Sequence, residues 1–487
     1  RVPMQFKVIL RIIGLLMMVF SVTMLPPIAI SQLFGDDGAP AFLKGFLITL
    51  ASGAALWLPF RTGGHDLRQR DGFLIVALFW LILGTVGALP FLLADTPDMT
   101  PTDAIFEAIS GFTTTGATVL SGLDQMPRSI LYYRQQLHWF GGMGIVVLAV
   151  AIMPMLGIGG MQLYKAETPG PVKDTKLTPR IAETAKSLWM IYFGITALCA
   201  GSYWLAGMDW FDALGHSFAT VATGGYSTHD ASLGYFNSPT IEMVSIFFML
   251  ISGINFTVHF LALQKLSTRV YLLDREVCGY IVIIVLAGLL ISSHLIFQGA
   301  GKYSIGDSVR HGIFHVVSFI TTTGFTTTDF YNWPGFTPVL LIFICFIGGC
   351  AGSTSGGLKV IRVILLYKQG MREITRLIHP NAWVPVKIGG NPLSYRVVDA
   401  VWGFFALYVV SFGVMMLLMM ETGLDQVTAF SAIATCINNT GPGLGEVTTT
   451  FATLSDPAKW LSCIAMVLGR LEIYTVLVLL SPAYWRG

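Results

Sequence analysis

The sequence predicts an all-α polytopic membrane protein: two N-terminal spans followed by four parallel repeats around a pseudo-fourfold axis, with about ten full spans. Composition is the first observation, because 54% of the 487 residues are hydrophobic and 11% are charged, whereas soluble domains carry about 25% charged residues. The second is a series of apolar segments of membrane-spanning length. The third is a motif that recurs in four outer loops. With a net charge of +2, this composition excludes a soluble enzyme, a disordered chain and a nucleic-acid-binding protein.

The apolar segments define the spans and their orientation. A helix needs about 20 apolar residues to cross a bilayer, and ten segments qualify: 8–33, 42–60, 72–94, 131–156, 186–207, 239–264, 277–298, 336–367, 397–420 and 458–482. If both termini are cytoplasmic, the inner segments hold 22 of the 29 Lys and Arg residues. Because Lys and Arg gather on the cytoplasmic side of membrane proteins, we predict a multi-pass membrane protein with both termini inside.

Four outer loops, between spans 3–4, 5–6, 7–8 and 9–10, carry the recurring motif. Each loop begins with Asp, continues with mostly apolar residues and reaches a Thr-Gly pair. The four sets are Asp103 with Thr115-Gly116, Asp212 with Thr223-Gly224, Asp307 with Thr323-Gly324, and Asp425 with Thr440-Gly441. The Thr-Gly pairs are 108, 100 and 117 residues apart, so the repeating unit is a membrane module rather than a solenoid repeat.

Each loop is too short to span the membrane and suits a re-entrant half-helix followed by an extended return. We expect Asp at the start to cap the half-helix and Gly at the end to stop it. An ordinary outer loop with an amphipathic helix is the alternative, but four such loops in register disfavour it. The predicted divisions are two N-terminal helices in 1–71 and four repeats in 72–185, 186–276, 277–396 (with a broken second helix) and 397–487.

The four loops predict an ion-binding ring. Irregular backbone at membrane depth is tolerated where it is buried in protein or lines water, and backbone carbonyls on an axis can replace the hydration shell of a monovalent cation. Gly supplies the positive φ angles that turn successive carbonyls inward. The motifs themselves contain no carboxylate, which disfavours a Ca²⁺ or Mg²⁺ site. The expected ligands are the backbone carbonyls of Thr114, Thr115, Ala222, Thr223, Thr322, Thr323, Asn439 and Thr440.

Span 8 is interrupted by a glycine-rich stretch that cannot form a stiff helix. The candidate gate residues in and beside it are Gly348, Gly349, Gly352, Ser353, Thr354, Ser355, Gly356, Gly357 and Lys359. A Walker phosphate loop does not fit, because Lys359 does not follow the GK[ST] order. Two interpretations are open: tight helix packing by small residues, or a broken helix that forms a movable plug in the ion path.

Arg470 lies within the last span, where a charge must face water or a partner. One interpretation pairs it with Glu472 or with a carbonyl of a neighbouring helix. The other places it in the ion path, where its charge raises the barrier to cations. Acidic residues that follow the four motifs also have two open interpretations, as ion-attracting groups at the mouth or as solvated loop acids; they are Asp124, Asp230, Asp329 and Glu446.

Other reactive residue types give no site. The six Cys residues contain no CxxC pair, so a disulfide framework or zinc site is not expected. His138, His216, His259, His311 and His315 are expected to make hydrogen bonds in packed positions. No Ser/His/Asp arrangement or carboxylate pair suggests catalysis, so we expect neither enzyme activity nor an organic cofactor.

Five stretches carry a resemblance to a known family: TTTGAT (113–118), VATGGYST (221–228), TTTGFTTTD (321–329), NNTGPGLG (438–445) and GGCAGSTSGGLK (348–359). Over essentially the whole chain, the sequence resembles the TrkH branch of the Trk/Ktr/HKT superfamily of potassium transporters. The resemblance implies single-file potassium uptake with one filter glycine per repeat. These filter glycines map to Gly116, Gly224, Gly324 and Gly441. Sodium-preferring members have Ser at the first of them, so Gly116 favours potassium.

The resemblance also implies regulation and partners. Residues 348–359 correspond to an intramembrane gating loop, and Arg470 corresponds to a pore arginine. A homodimer in the lipid of the bacterial inner membrane is implied, with a cytosolic nucleotide-binding ring of the TrkA type as regulatory partner. The leading hypothesis is therefore a potassium uptake channel or channel-like transporter with bound potassium in its filter. The alternative is an ion-coupled secondary carrier of another solute that uses Gly-broken helices.

Overall fold

The computed structural model describes residues 5–61, 69–147, 181–298, 303–382, 384–388 and 391–486. The regular secondary structure of the described chain is helical apart from one short hairpin. The inner end of the predicted span at 131–156 and most of the basic stretch at 158–185 lie outside the described residues.

The N-terminal part is a pair of packed helical spans. Its helices are α1 (Phe6–Ser21), α2 (Leu25–Phe34) and α3 (Ala39–Trp57). Gly14 of α1 and Gly53 of α3 face each other at the crossing: a Cβ on Gly14 would lie 2.6 Å from the Gly53 carbonyl oxygen. Small residues therefore let the two backbones approach closely, as is typical of membrane helices.

In each of the first two predicted repeats, the described helices follow the order of a first helix, a half-helix and a second helix. In repeat 1 these are α4 (Gln69–Val86) with the short α5 (Leu89–Leu93), then α6 (Pro101–Phe112) and α7 (Arg128–Val147). In repeat 2 they are α8 (Ile181–Leu205), α9 (Trp210–Val221), and α10 (Pro239–Ser252) with α11 (Phe256–Lys265).

The last two repeats follow the same order with interrupted second helices. The short α12 (Arg269–Leu273) precedes repeat 3, which contains α13 (Arg275–Gln298), α14 (Ile305–Ile320), α15 (Thr337–Ile347) and α16 (Val360–Ile378). An antiparallel hairpin of β1 (Lys387–Ile388) and β2 (Asn391–Pro392) precedes repeat 4. Repeat 4 contains α17 (Tyr395–Glu421), α18 (Gln426–Ile437), α19 (Asp456–Arg470), α20 (Tyr474–Leu480) and α21 (Pro482–Arg486). Short 3-10 turns lie at Val22–Met24, Leu58–Phe60, Leu123–Gln125, Ser232–Phe236, Phe330–Asn332 and Gly445–Val447.

Among the described residues, six helical stretches are long and apolar enough to cross a membrane unaided, and α10 with α11 makes a seventh despite a 93° bend. These seven correspond to predicted segments. The other three predicted spans, 131–156, 336–367 and 458–482, contain the second helices of repeats 1, 3 and 4. Of these, the last two are interrupted and the first leaves the described residues. The count of ten spans therefore stays a prediction.

The half-helices begin differently from the sequence expectation. Asp425 does cap α18 and accepts hydrogen bonds from the amides of Val427 and Thr428. The expectation that Asp103, Asp212 and Asp307 are caps is wrong, because each helix begins earlier and each of these Asp residues lies three positions after the cap. The caps are Thr100, Asp209 and Ser304. In the first and third half-helices the Asp carboxylate also accepts from the cap hydroxyl, at 2.9 Å and 2.8 Å.

The core consists of two large apolar clusters. One joins the N-terminal helices with repeats 1 and 4, and the other joins repeats 2 and 3. The C-terminal turns of the four half-helices are buried: those of α6 and α18 pack mainly in the first cluster, and those of α9 and α14 pack in the second. The C-terminal ends therefore lie inside the protein.

Candidate functional site

The four half-helices end in four turns with the same backbone. In repeat 1 the amide of Thr114 donates to the Gly111 carbonyl at 3.1 Å, and the amide of Thr115 donates to the Ser110 carbonyl at 2.9 Å. Two left-handed residues then follow at alternate positions, Thr114 (φ +50°) and Gly116 (φ +82°). The equivalent left-handed pairs are Thr223 (+52°) and Gly225 (+80°), Thr322 (+54°) and Gly324 (+80°), and Asn439 (+56°) and Gly441 (+95°).

The second repeat differs by one residue from the alignment that its Thr-Gly pair suggests. Gly225, not Gly224, has the left-handed conformation of Gly116, Gly324 and Gly441. The amide of Gly224 donates to the Ala219 carbonyl at 2.8 Å, as the amide of Thr115 does to Ser110. Gly224 thus occupies the structural position of Thr115. By this alignment, Thr223 and Gly224 are the residues of repeat 2 that correspond to Thr114 and Thr115, whereas the sequence paired Ala222 and Thr223 with them.

A side-chain contact explains why a glycine precedes Gly225. A Cβ on Gly224 would lie 2.6 Å from Cγ of His138 on α7. That ring is held by the Gly111 carbonyl through Nδ1 (2.8 Å) and by the Tyr226 amide through Nε2 (3.2 Å). The space that a Thr side chain would need is therefore filled by a fixed imidazole.

The four turns form a closed ring, which we call the four-turn ring: residues 113–116, 222–225, 321–324 and 438–441. A Cβ on any of its left-handed glycines would lie less than 3.0 Å from a backbone carbonyl oxygen of the next turn. The pairs are Gly116 with Gly224, Gly225 with Thr323, Gly324 with Thr440, and Gly441 with Thr115. Both the positive φ and this close approach require glycine at these positions.

The ring faces an open depression, which we call the outer depression after the predicted orientation of the chain. All four left-handed glycines line it, together with residues of the extended segments that directly follow these glycines, including Thr118, Tyr226 and Thr326. We call these segments the return strands, although they pair in no sheet among the described residues. The half-helices direct the negative ends of their dipoles toward the other side of the same turns. The arrangement places uncharged backbone groups of four segments around one opening.

The acidic residues that follow the motifs have separate environments. Asp230 lines the depression and accepts from the amides of Gly122 and Leu123, each at 3.0 Å. Asp124 pairs with His229 of the next repeat. Although burial opposes protonation, hydrogen bonds to Asp212 and Asp124 raise the pKa of His229. Asp329 and Glu446 are exposed.

The second helix of repeat 3 is broken by a buried loop that lies under the ring, as the small residues of this stretch predict. Helix α15 ends at Ile347, and α16 begins at Val360. Left-handed backbone occurs at Gly348, Gly352, Gly357 and Lys359. We call residues 348–359 the inner loop. Its side chains Ser353, Thr354 and Ser355 are at most 1% exposed.

The inner loop contacts the bases of three turns. Thr354 donates through Oγ1 to the Val221 carbonyl at 3.0 Å and lies 3.2 Å from Oγ1 of Thr223. The Gly356 amide donates to Oγ1 of Thr322 at 2.6 Å. A Cβ on Gly356 would lie less than 3.0 Å from the Asn438 carbonyl oxygen. The loop therefore closes against repeats 2, 3 and 4 of the ring.

The other side of the inner loop is held by repeat 2 and by α13. The Cys350 amide donates to the Gly253 carbonyl at 2.8 Å, and the Phe256 amide donates to the Gly352 carbonyl at 3.0 Å. These contacts lie at the bend between α10 and α11. Glu276 accepts from the Ala351 amide at 2.7 Å.

Arg470 connects the inner loop to the first turn. Its guanidinium donates to the Thr113 carbonyl, to the Thr114 carbonyl at 3.2 Å, and to the Thr354 carbonyl at 3.2 Å. The first interpretation offered Glu472 or a carbonyl as the partner of Arg470. The carbonyl contacts are present, whereas Glu472 pairs with Arg362 at 2.7 Å. The position of Arg470 in the ion path stays a prediction. The remaining predicted gate residue, Lys359, donates through Nζ to the Ser355 carbonyl.

The structure assigns ordinary roles to the other reactive residues. His216, His259, His311 and His315 make hydrogen bonds in packed positions, which confirms the expectation. The six cysteines are free thiols. Within the described ranges, no group of three His, Cys, Asp or Glu side chains could hold a metal ion. Sequence reasoning missed a buried pair behind the ring, Glu107 and Arg134, because its partners come from different helices.

Comparisons with known proteins agree with this architecture. The sequence profile of the TrkH family, described as a cation transport protein, matches residues 38–486. The Trk system potassium uptake protein TrkH of Vibrio parahaemolyticus is 55% identical over 486 residues, covering 99% of this chain and 100% of the relative. The TrkH protein of Escherichia coli K12 is 52% identical over 487 residues, with the same coverage.

A solved structure matches as well. The crystal structure of the potassium transporter TrkH from Vibrio parahaemolyticus gives a TM-score of 0.92 at 52% identity, covering 99% of this chain and 100% of that chain. The resemblance found in the motifs is thereby confirmed over the full length. This chain belongs to the TrkH family of cation transport proteins.

Proposed function

We propose that this chain carries potassium ions into the cell along a single-file path through the four-turn ring. One observation carries the proposal: four backbone turns, one from each repeat, meet so closely that only glycine fits at their contacts. Such a ring can exchange carbonyl oxygens for the hydration shell of a monovalent cation. The relatives reported above are potassium uptake proteins, and this chain has Gly116 where resemblance associates Ser with sodium.

The proposed ligands for potassium are backbone carbonyls of the ring. They come from Thr114, Thr115, Thr223, Gly224, Thr322, Thr323, Asn439 and Thr440. Potassium is large and monovalent, so weak, rapidly exchanged carbonyl contacts suit it better than carboxylates would. Positive φ at alternate positions of each turn supports this set, because it lets successive carbonyls turn toward the same side.

We infer that the inner loop and Arg470 together form the gate. The loop lies directly against the bases of the turns of repeats 2, 3 and 4, and Arg470 ties it to the turn of repeat 1. A cation leaving the ring inward would meet the loop and a positive charge. Opening would require the loop to leave these contacts, which its glycines make feasible.

The membrane setting and partners complete the proposal. Large apolar side chains on the first helices of the repeats are exposed, such as Leu198, Leu286 and Leu417, and they suit contact with lipid. We propose a homodimer in the bacterial inner membrane with both termini cytoplasmic. The basic inner end of α16, including the exposed Lys368 and Arg376, supports contact with a cytosolic nucleotide-binding subunit of the TrkA type.

Flux into liposomes that contain the purified chain tests the function. We expect uptake of K⁺ and Rb⁺ to exceed uptake of Na⁺ and Li⁺, with protein-free liposomes as the control. Equal permeation of Na⁺ and K⁺ would contradict a potassium-selective ring. Saturable uptake that depends on a second solute would instead support the carrier alternative.

A further inference from the structure

Behind the first two turns of the ring lies a buried ion pair that neither the ring motif nor the inner loop includes. Nε of Arg134 on α7 lies 2.7 Å from Oε1 of Glu107 on the half-helix α6, and the two side chains are 1% and 0% exposed. Resting on the proposed function, we propose that Glu107 and Arg134 are positioning residues that set the ring's discrimination between potassium and sodium. They do so by fixing the return strands of repeats 1 and 2.

Arg134 contacts both return strands. Its guanidinium donates through Nη2 to Oγ1 of Thr118 at 3.1 Å and through Nη1 to the Ser227 carbonyl at 3.2 Å. Thr118 and Ser227 each come two residues after the left-handed glycine of their turn. Because guanidinium is a planar donor with fixed geometry, one side chain sets the spacing between two neighbouring strands.

Glu107 holds the first strand from the other side. Its carboxylate accepts from Oγ1 of Thr118 at 3.0 Å and from the Val119 amide at 3.0 Å. The half-helix and its own return strand are therefore joined by an ionised group as well as by the covalent turn. Hydrogen bonds to a charged acceptor are stronger than neutral ones, so this strand has little freedom to move.

Tyr226 links the Glu107–Arg134 pair to Gly225, the residue that directly precedes Tyr226 in the chain. The Arg134 guanidinium lies 4.1 Å from the centre of the Tyr226 ring. The Tyr226 hydroxyl donates to the Glu107 carbonyl at 2.9 Å and lies 3.2 Å from the Ala117 carbonyl oxygen. Residues adjacent to Gly116 and Gly225 are thus held by the same cluster, so a displacement of the pair would move ring carbonyls directly.

The four repeats differ at the position of Glu107. Counting nine residues back from each left-handed glycine gives Glu107, His216, His315 and Ala432. In repeat 2, Nε2 of His216 lies 2.9 Å from Oγ of Ser227, so His216 contacts its own strand at the same place. Only the first repeat has a carboxylate at this position, and there Arg134 extends the contact to the neighbouring repeat.

Charge balance explains why both the carboxylate of Glu107 and the guanidinium of Arg134 are needed. Arg134 lines the outer depression next to Gly116 and Gly225. An unpaired positive charge there would repel cations at the mouth, whereas an unpaired Glu107 would be a buried charge without a partner. The pair positions the strands while adding no net charge to the path.

The test is the K⁺/Na⁺ flux ratio of the full chain in liposomes. We expect Glu107→Gln and Arg134→Gln each to lower the ratio at least about fivefold, because either change frees a return strand. Tyr226→Phe removes only one hydroxyl and serves where a charge variant does not fold; we expect it to lower the ratio about twofold. Arg134→Lys should give an intermediate ratio, since Lys keeps the charge but not the planar geometry.

A second ion pair supplies the matched control. Lys459 lies 2.6 Å from Asp103 at the start of the same half-helix, with side chains 6% and 23% exposed, and Lys459→Gln should leave the ratio unchanged. Unchanged ratios in folded Glu107, Arg134 and Tyr226 variants would overturn the inference, even if total flux fell. A wild-type chain without potassium-selective flux would instead contradict the proposed function, so the two failures are distinguishable.

Discussion

The four-turn ring and the inner loop beneath it are built in opposite ways. Each repeat gives the ring one turn with the same hydrogen bonds and the same two left-handed residues. The inner loop comes from repeat 3 alone, and Arg470, which ties it to the first turn, comes from repeat 4 alone. The difference separates two tasks: coordination of an ion on an axis benefits from symmetry, whereas a gate needs one element that can move.

Their sensitivity to substitution should differ for the same reason. The ring depends on backbone conformation, so Thr113, Ala222, Thr321 and Asn438 can occupy equivalent positions without changing the turn. The left-handed glycines allow no such variety, because their neighbours are backbone carbonyls that cannot rotate away. The inner loop adds individual side-chain hydrogen bonds to its backbone contacts. Substitutions of the ring glycines should therefore abolish flux, and substitutions of the loop side chains should change it by degrees.

The largest effect is expected at a left-handed glycine. In Gly225→Ala, the new Cβ would lie less than 3.0 Å from the Thr323 carbonyl oxygen in a backbone with φ +80°. A left-handed non-glycine residue costs about 1–2 kcal/mol, and overpacking adds about 1–3 kcal/mol. Because each 1.4 kcal/mol in a barrier is about tenfold in rate, we expect Rb⁺ uptake into liposomes to fall at least about thirtyfold.

Two matched glycine variants sharpen this prediction. Gly201→Ala, on α8, places its Cβ in open space and should leave uptake unchanged. Gly224→Ala meets the His138 ring in a backbone that is not left-handed, so its loss should be smaller than that of Gly225→Ala. Equal losses at Gly224 and Gly225 would contradict the register that the structure gives to the second turn.

At the gate, Arg470→Gln is expected to increase uptake. The change removes a positive charge and the donors that tie Thr113, Thr114 and Thr354 together. We expect a rise of about tenfold, which corresponds to about 1.4 kcal/mol. Arg470→Lys keeps the charge, so a low flux in that variant would assign the barrier to charge rather than to the hydrogen bonds. A folded Arg470→Gln protein with unchanged flux would remove Arg470 from the gate.

A smaller gain is expected for Thr354→Val. This nearly isosteric change removes the hydroxyl that donates to the Val221 carbonyl and contacts Thr223. A typical hydrogen bond contributes about 1 kcal/mol. The contacts that hold the inner loop against the ring should therefore weaken, and uptake should rise about threefold to fivefold. Thr375→Val is the matched control, because its hydroxyl bonds only within the exposed part of α16. Equal flux in the two variants would show that Thr354 does not hold the loop closed.

The sequence could predict what depends on local pattern. Four apolar runs that end in Thr-Gly identify the half-helices, and the glycine-rich stretch identifies the inner loop, because glycine spacing reports backbone conformation directly. The Gly225 register was not predictable from the Thr-Gly pair, since two adjacent glycines fit equally well until the His138 ring is placed. Glu107 and Arg134 are 27 residues apart on different helices, and no periodic pattern links them.

The weakest expected effect lies in the outer loops, where repeats 1 and 2 are joined by His229. Its imidazole lies between Asp124 and Asp212 and stacks on Tyr235 at 3.5 Å between ring centres. Burial opposes protonation, but the hydrogen bonds to the two carboxylates raise the pKa of His229 above its usual value of 6.5.

A raised folded-state pKa stabilises the folded protein at low pH, and this contribution is lost as the pH rises through the raised value. We therefore compare the melting temperature of the purified full chain in detergent at pH 8.5 and at pH 6. From pH 6 to pH 8.5, we expect the wild type to lose about 1–2 °C more than His229→Gln loses, because the variant has no imidazolium charge to lose. If His229→Gln shows the same pH dependence as the wild type, the link between the two outer loops does not depend on the imidazolium. The ring and the inner loop should keep their flux behaviour in either case, because the contacts that define them involve neither His229 nor its two carboxylates.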